Sequence, residues 1–142
     1  MTKSLEMKLV KAFPKLYRDY GGDMKKTCMA FGMDVGDGWF ELLWNLSKGL
    51  KWAAPDAKAL QVKEKFGTLR FYVEGLSPLL VEAKSIIEGA EIASACICET
   101  CGRAGRLRKK DFWIYTACDR CDKARAKRLG KAAKALAKKY KL

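Results

Sequence analysis

Cys98, Cys101, Cys118 and Cys121 make two Cys-x-x-Cys pairs sixteen residues apart, in CETCGRAGRLRKKDFWIYTACDRC (98–121). Thiolates are soft ligands, and a Cys-x-x-Cys turn offers two of them to one ion. Two such turns joined by a hairpin complete a tetrahedral shell, so the spacing predicts a zinc ribbon-like site. Four protein ligands leave no open position for a substrate, and the Zn2+ is expected to be structural. Cys96 is the alternative ligand and ranks second, because Cys96-x-Cys98 cannot close the same turn. Cys28 reads as a buried thiol.

The competing reading of paired cysteines is disulfides. The stretch MTKSLEMKLVKAF lacks a signal-peptide core, and no apolar run approaches the roughly 20 residues that span a bilayer. A reducing cytoplasm is therefore the expected compartment, where paired thiols bind metal. No membrane association is expected.

Between the two pairs lie Arg106, Arg108, Lys109 and Lys110, with Trp113 and Tyr115 alternating just beyond. Basic groups meet phosphates and aromatic faces stack on bases. Tyr115 is the favoured stacking residue; Trp113 reads rather as cover for the back of the metal site. The basic tail extends the track through Arg125, Arg128 and Lys131. The chain as a whole carries 29 Lys/Arg against 16 Asp/Glu. The excess is uneven: residues 1–95 hold 14 against 12, and residues 96–142 hold 15 against 4. Charge of this size and placement points to an acidic partner.

There is no histidine. That removes the commonest general base and every Ser-His or Cys-His nucleophile. Asp34, Asp37 and Glu41 do not match a Ca2+ loop and read as turn and cap residues. The glycines at 32, 36 and 38 lack the Lys-Ser/Thr ending of a phosphate loop. No catalytic constellation and no small-molecule substrate site stands out, and the chain is not expected to be an enzyme.

The elements that must hold the cysteines follow from periodicity. Leu5, Leu9, Phe13 and Leu16 predict a helix interrupted at Pro14. A second helix is expected from Asp37, capped by its carboxylate, with Trp39, Leu42, Leu43 and Leu46 on one face. Residues 59–73 predict a β-hairpin turning at Gly67. Leu60, Val62, Glu64 and Phe66 share one face of its first strand, and Leu69, Phe71 and Val73 one face of the second. Glu64, a carboxylate on the apolar side, is expected at the sheet margin in an ion pair. Ser77 and Pro78 open a helix over about 79–95, with Leu79, Val81, Ile86, Ile87, Ala90 and Ile92 for the core. This gives an α+β protein: a domain over 1–95, a zinc ribbon-like module over 96–121 docked on it, and a basic helix over 122–142.

In GDGWFELL (36–43), QVKEKFGTLRFYV (61–73), the helix after it and CETCGRAGRLR…WIYTACDRC (98–121), the chain resembles a widespread family of small uncharacterised proteins from bacteria, prophages and phages. The resemblance covers most of residues 31–121 and leaves out the first helix and the basic tail. Many members end the second pair with Cys or His; here it is Cys121. The resemblance implies a metal-binding end and a bacterial or phage setting, and brings no activity with it.

Two functions are expected from these residues. The first is a zinc-stabilised nucleic-acid-binding accessory protein. The second is a phage-encoded adaptor or inhibitor that engages a host nucleic-acid enzyme or defence complex.

Overall fold

Apolar residues at helical spacing set the first two helices. The computed structural model describes residues 1–75, 77 and 80–140. Helix α1 is Lys3–Ala12, and it stops one residue before the Phe13–Pro14 step. A residue ahead of proline is driven out of the helical region. Leu9, Phe13 and Leu16 are buried. Asp37 does not cap the second helix: its Oδ1 accepts from the Thr2 N–H at 2.6 Å, at the start of α1. A short 3-10 turn, Asp37–Trp39, leads into α2, Phe40–Ala53. Its face of Leu43, Leu46 and Leu50 is buried together with Trp39.

Strands β1, Lys58–Lys65, and β2, Thr68–Glu74, pair antiparallel. The turn is Phe66–Gly67, with φ of 54° and 81°. Two left-handed residues match the twist of a tight hairpin, and the second is a glycine as expected. Phe66 sits in that turn and is exposed, not on the apolar face. An irregularity between Ala59 and Gln61 shifts the register, so Ala59 and Val62 are the buried pair and Leu60 is only half-buried. Glu64 makes no ion pair among the described residues; its Oε1 accepts from the Gly67 N–H at 2.5 Å and closes the turn.

Two-stranded sheets expose unpaired edges, and both edges here are covered. On the β1 side, Asp34 N–H donates to Val62 O and Glu64 N–H donates to Asp34 O. On the β2 side the cover is α3, Val81–Ser94. Ser94 Oγ accepts from Leu69 N–H at 2.9 Å, and Glu91 Oε1 accepts from Phe71 N–H at 2.9 Å. The face of α3 that meets the core is Ala83, Ile86, Ile87 and Ala90. Val81 and Ile92 are exposed, contrary to the pattern, because the helix turns only this narrow stripe toward α2 and β2. Pro78 and Leu79 lie outside the described residues.

A second hairpin follows, β3 Arg106–Lys110 with β4 Trp113–Ala117, and then α4, Asp119–Tyr140. The fold is α+β: four helices and two antiparallel hairpins among the described residues, with the cysteines at the start of α4. No helix is long and apolar enough to cross a membrane.

Replacing Ser94 by Ala should leave the buried Leu69 N–H without a partner. The expected loss is about 1–3 kcal/mol, read from urea unfolding; a parent-like midpoint would show that water takes over the bond.

Candidate metal centre

The ligand atoms of Cys98, Cys101, Cys118 and Cys121 all lie within 4.8 Å of one another. Cys101 and Cys118 sulfurs are 3.7 Å apart. A tetrahedral ion with metal–sulfur bonds of about 2.3 Å sets its ligands about 3.8 Å apart, whereas a disulfide needs about 2.05 Å. The four thiols could therefore hold one metal ion with little adjustment. Cys96 is exposed and stands outside the quartet. Cys28 is exposed as well, and the neighbouring Met29 takes the buried place expected for it.

The two pairs reach the site differently. Cys98 and Cys101 lie on a knuckle closed by Gly102 N–H to Cys98 O at 2.8 Å, with Gly102 at φ 75°. Cys118 immediately precedes α4, and Cys121 sits in its first turn. The second pair thus belongs to a helix start, so the last helix begins at Asp119 rather than near 122. Cys121 N–H donates toward Cys118 Sγ at 3.4 Å. The backbone N–H and guanidinium of Arg103 both bond Cys101, and the backbone bond leads in drawing its thiol down to about 6. Burial first, then the neighbouring sulfurs, pushes Cys121 up to about 12.

Two stretches of the front part of the chain form the seat. Gly38 N–H donates to Glu99 O at 2.8 Å, and Gly36 N–H to Glu99 Oε1 at 2.9 Å. The Trp39 indole N–H donates to Ile97 O at 2.8 Å. A Cβ on Gly38 would stand 2.2 Å from Cys98 O and 2.6 Å from Cys101 N, so the knuckle lies directly on this backbone. On the other side, Thr116 Oγ1 donates to Gly67 O at 2.6 Å. A Cβ on Gly67 would meet Leu107 at 2.6 Å. The tip of the first hairpin thus presses on the second. Residue type alone does not pick out Glu99, Thr116, Gly36, Gly38 or Trp39.

The basic residues divide into braces and free cations. Arg108 has a side chain only 15% exposed and bonds Asp119, Asp122 and the Ala117 carbonyl. It ties β3 to the first turn of α4. Arg106 also pairs with Asp119, at 2.8 Å, but stays largely exposed. These ion pairs draw the Asp119 carboxyl below its usual range, the Arg108 bond leading. Lys109, Lys110, Arg128 and Lys131 are exposed.

The aromatic assignments reverse. Tyr115 is 6% exposed, donates its hydroxyl to Asp122 Oδ1 at 2.6 Å, and lies under the Arg125 guanidinium, 4.2 Å from the ring centroid. It is core for the cysteine module, with Cys98 and Ala117, and is not open for stacking. Trp113 is 59% exposed and Phe112 fully so.

Gly38→Ala should destabilise the module and loosen its hold on metal, because the new methyl group would meet backbone. Gly130→Ala, with nothing within 4 Å, should instead stabilise α4 by about 1 kcal/mol. Unfolding midpoints and metal content of the two variants check this contrast. Metal loading must also expel the proton held by Cys121, whose raised value keeps it a thiol at neutral pH. Apparent affinity, titrated with Zn2+ as the probe against a chelator, is expected to rise at least about tenfold per pH unit above neutrality. A flat profile would contradict the assignment of a protonated Cys121.

Searches against protein-family models, curated proteins and solved structures find no match to this chain.

Proposed function

We propose that this chain is a zinc-stabilised nucleic-acid-binding accessory protein. Four thiolates in a tetrahedral cluster are the donor set of structural zinc and suit hard cations poorly. Cys98, Cys101, Cys118 and Cys121 would hold the ion. Its binding supplies folding free energy to a module whose own buried apolar set is Cys98, Tyr115 and Ala117.

The observation that carries the reading is α4. It has 22 residues, nine of them Lys or Arg and two of them Asp, and none of its described residues is buried. Both carboxylates, Asp119 and Asp122, are taken up by Arg106 and Arg108 of β3. The rest of the helix, about 33 Å long in all, therefore presents uncompensated positive charge. Lys109 and Lys110 continue it on β3. Arg128, Lys131, Lys134 and Lys138 are the phosphate-contacting residues of this reading, with Lys109 and Lys110. Arg125 serves the Tyr115 ring first, and Arg106 and Arg108 serve the fold. Binding of this kind is electrostatic and carries no base specificity.

An adaptor that engages an acidic host protein is the second reading. It is favoured by Leu129, Leu136 and Tyr140, which stand exposed on α4. The resemblance to bacterial and phage proteins supports a host-directed setting for either. Recovery of the tagged protein from host cells with and without nuclease separates them. Loss of partners on nuclease treatment supports nucleic acid; one stoichiometric protein that survives it supports the adaptor.

The charge assignment makes a quantitative prediction. Lys131→Ala, Lys134→Ala and Lys138→Ala combined should weaken duplex binding at every sequence tested. They should also flatten the slope of log K against log salt by about 0.9 for each phosphate left without its lysine. Fluorescence anisotropy over a salt series measures it, and an unchanged slope would remove α4 from the interface.

A further inference from the structure

Beside α4, the tip of the β3–β4 hairpin holds two largely exposed aromatic side chains that join neither core cluster. Phe112 is fully exposed, in the turn after Asp111, and Trp113 opens β4 at 59% exposure. Trp113 pairs across the hairpin with Lys110. The hairpin and α4 enclose an open groove of about 730 Å³, lined among others by Lys110, Phe112, Trp113, Arg125, Leu129 and Ala133. That volume is within the range of ligand clefts. The Arg125 guanidinium lies 5.8 Å from the Trp113 ring centroid. The hairpin cannot swing away from the helix, because Arg108 bridges to Asp119 and Asp122 and Tyr115 bonds Asp122.

Exposed indole and phenyl faces cost solvation, and a protein surface seldom keeps two side by side without use. The groove is lined by Lys110 and Arg125 against the single carboxylate of Asp111, so its surroundings are cationic on balance. A duplex has its bases stacked and shut away, so it offers these rings nothing. A single strand offers unpaired π faces joined by phosphates, which is the chemistry that aromatic platforms in basic grooves take. An apolar peptide would leave the cations at the rim unpaired.

We propose that this groove takes unpaired bases of a single-stranded nucleic acid, stacked on Trp113 and Phe112, while Lys110 at its rim meets a flanking phosphate. The inference rests on the nucleic-acid reading above and narrows it from phosphate contact to base contact. Trp113 confers the preference for single strands; the cations confer affinity common to all nucleic acids.

The test compares four labelled probes of equal length, about 12 nucleotides: oligothymidylate, oligouridylate, an abasic deoxyribose-phosphate strand and a duplex. Wild-type protein should bind both base-bearing single strands more tightly than the abasic strand. Their ratio reports any preference between DNA and RNA. Trp113→Ala and Trp113→Leu should weaken oligothymidylate binding about 5- to 100-fold, leave the abasic strand and duplex within about twofold, and Trp113→Phe should restore most of the loss. Unchanged metal content in each variant shows that the module still folds. Equal losses on the abasic strand, or no loss on oligothymidylate, would overturn the stacking assignment and leave the phosphate reading standing. Failure of the wild type to bind any probe at low salt would overturn both.

Discussion

The backbone of Gly38 lies against the backbone of the cysteine knuckle so closely that no side chain fits between them. Around this contact, Gly36 and Gly38 donate to Glu99 and the Trp39 indole donates to Ile97. Trp39 is wholly buried in the main core, so a single side chain spans core and metal module. Two separate stretches of the front part of the chain meet the cysteine module. The GDGW turn seats the first cysteine pair, and the first hairpin presses its Gly67 tip onto Leu107 and Thr116. Helix α3, which follows that hairpin, carries Ser94 and Glu91 to its open edge. A metal ion would lock the fourth side, where α4 begins.

This arrangement separates charges that hold structure from charges left exposed. Four thiolates around a divalent ion carry a net charge of −2, and Arg103 is the cation nearest Cys101. The only carboxylates of α4 are bound to Arg106 and Arg108, in the turn where negative charge also suits the helix dipole. Beyond that turn the helix has cations alone. The base of α4 is thereby fixed in direction while its length stays available. A charged helix without such a base would be a solvated tail, with no defined pose to offer a groove or a phosphate backbone.

The four-cysteine cluster was legible because its spacing is itself the chemistry. The first hairpin was legible from alternation and Gly67, and the helices from apolar periodicity. What failed was what depends on distant parts of the chain. Trp113 and Tyr115 share one face of β4, and period-two alternation cannot say which of them lies under a helix that has yet to follow. The crossing of α4 decides it, burying Tyr115 against Asp122 and leaving Trp113 at the open end. Arg108 looked like a phosphate ligand because Asp119 and Asp122 are remote in sequence and adjacent in space. Asp37 precedes its own helix, yet its carboxylate turns back to Thr2. Glu64 looked like half of an ion pair, but its carboxylate found a free N–H three residues on, in the turn. Residue type alone suggests burial for Cys28, and its 3-10 turn buries Met29 instead.

The central claim is that one metal-held knuckle and the Gly36–Trp39 turn order each other. Amide and indole hydrogen exchange by NMR, with and without a chelator, tests it most directly. With zinc bound, the Gly38 amide and the Trp39 indole N–H should exchange slowly, as should the Leu69 and Phe71 amides of the first hairpin. On chelation the first two should lose protection while the hairpin amides keep theirs. If Gly38 and the Trp39 indole remain protected in metal-free protein, the seat holds without an ion and the account is wrong.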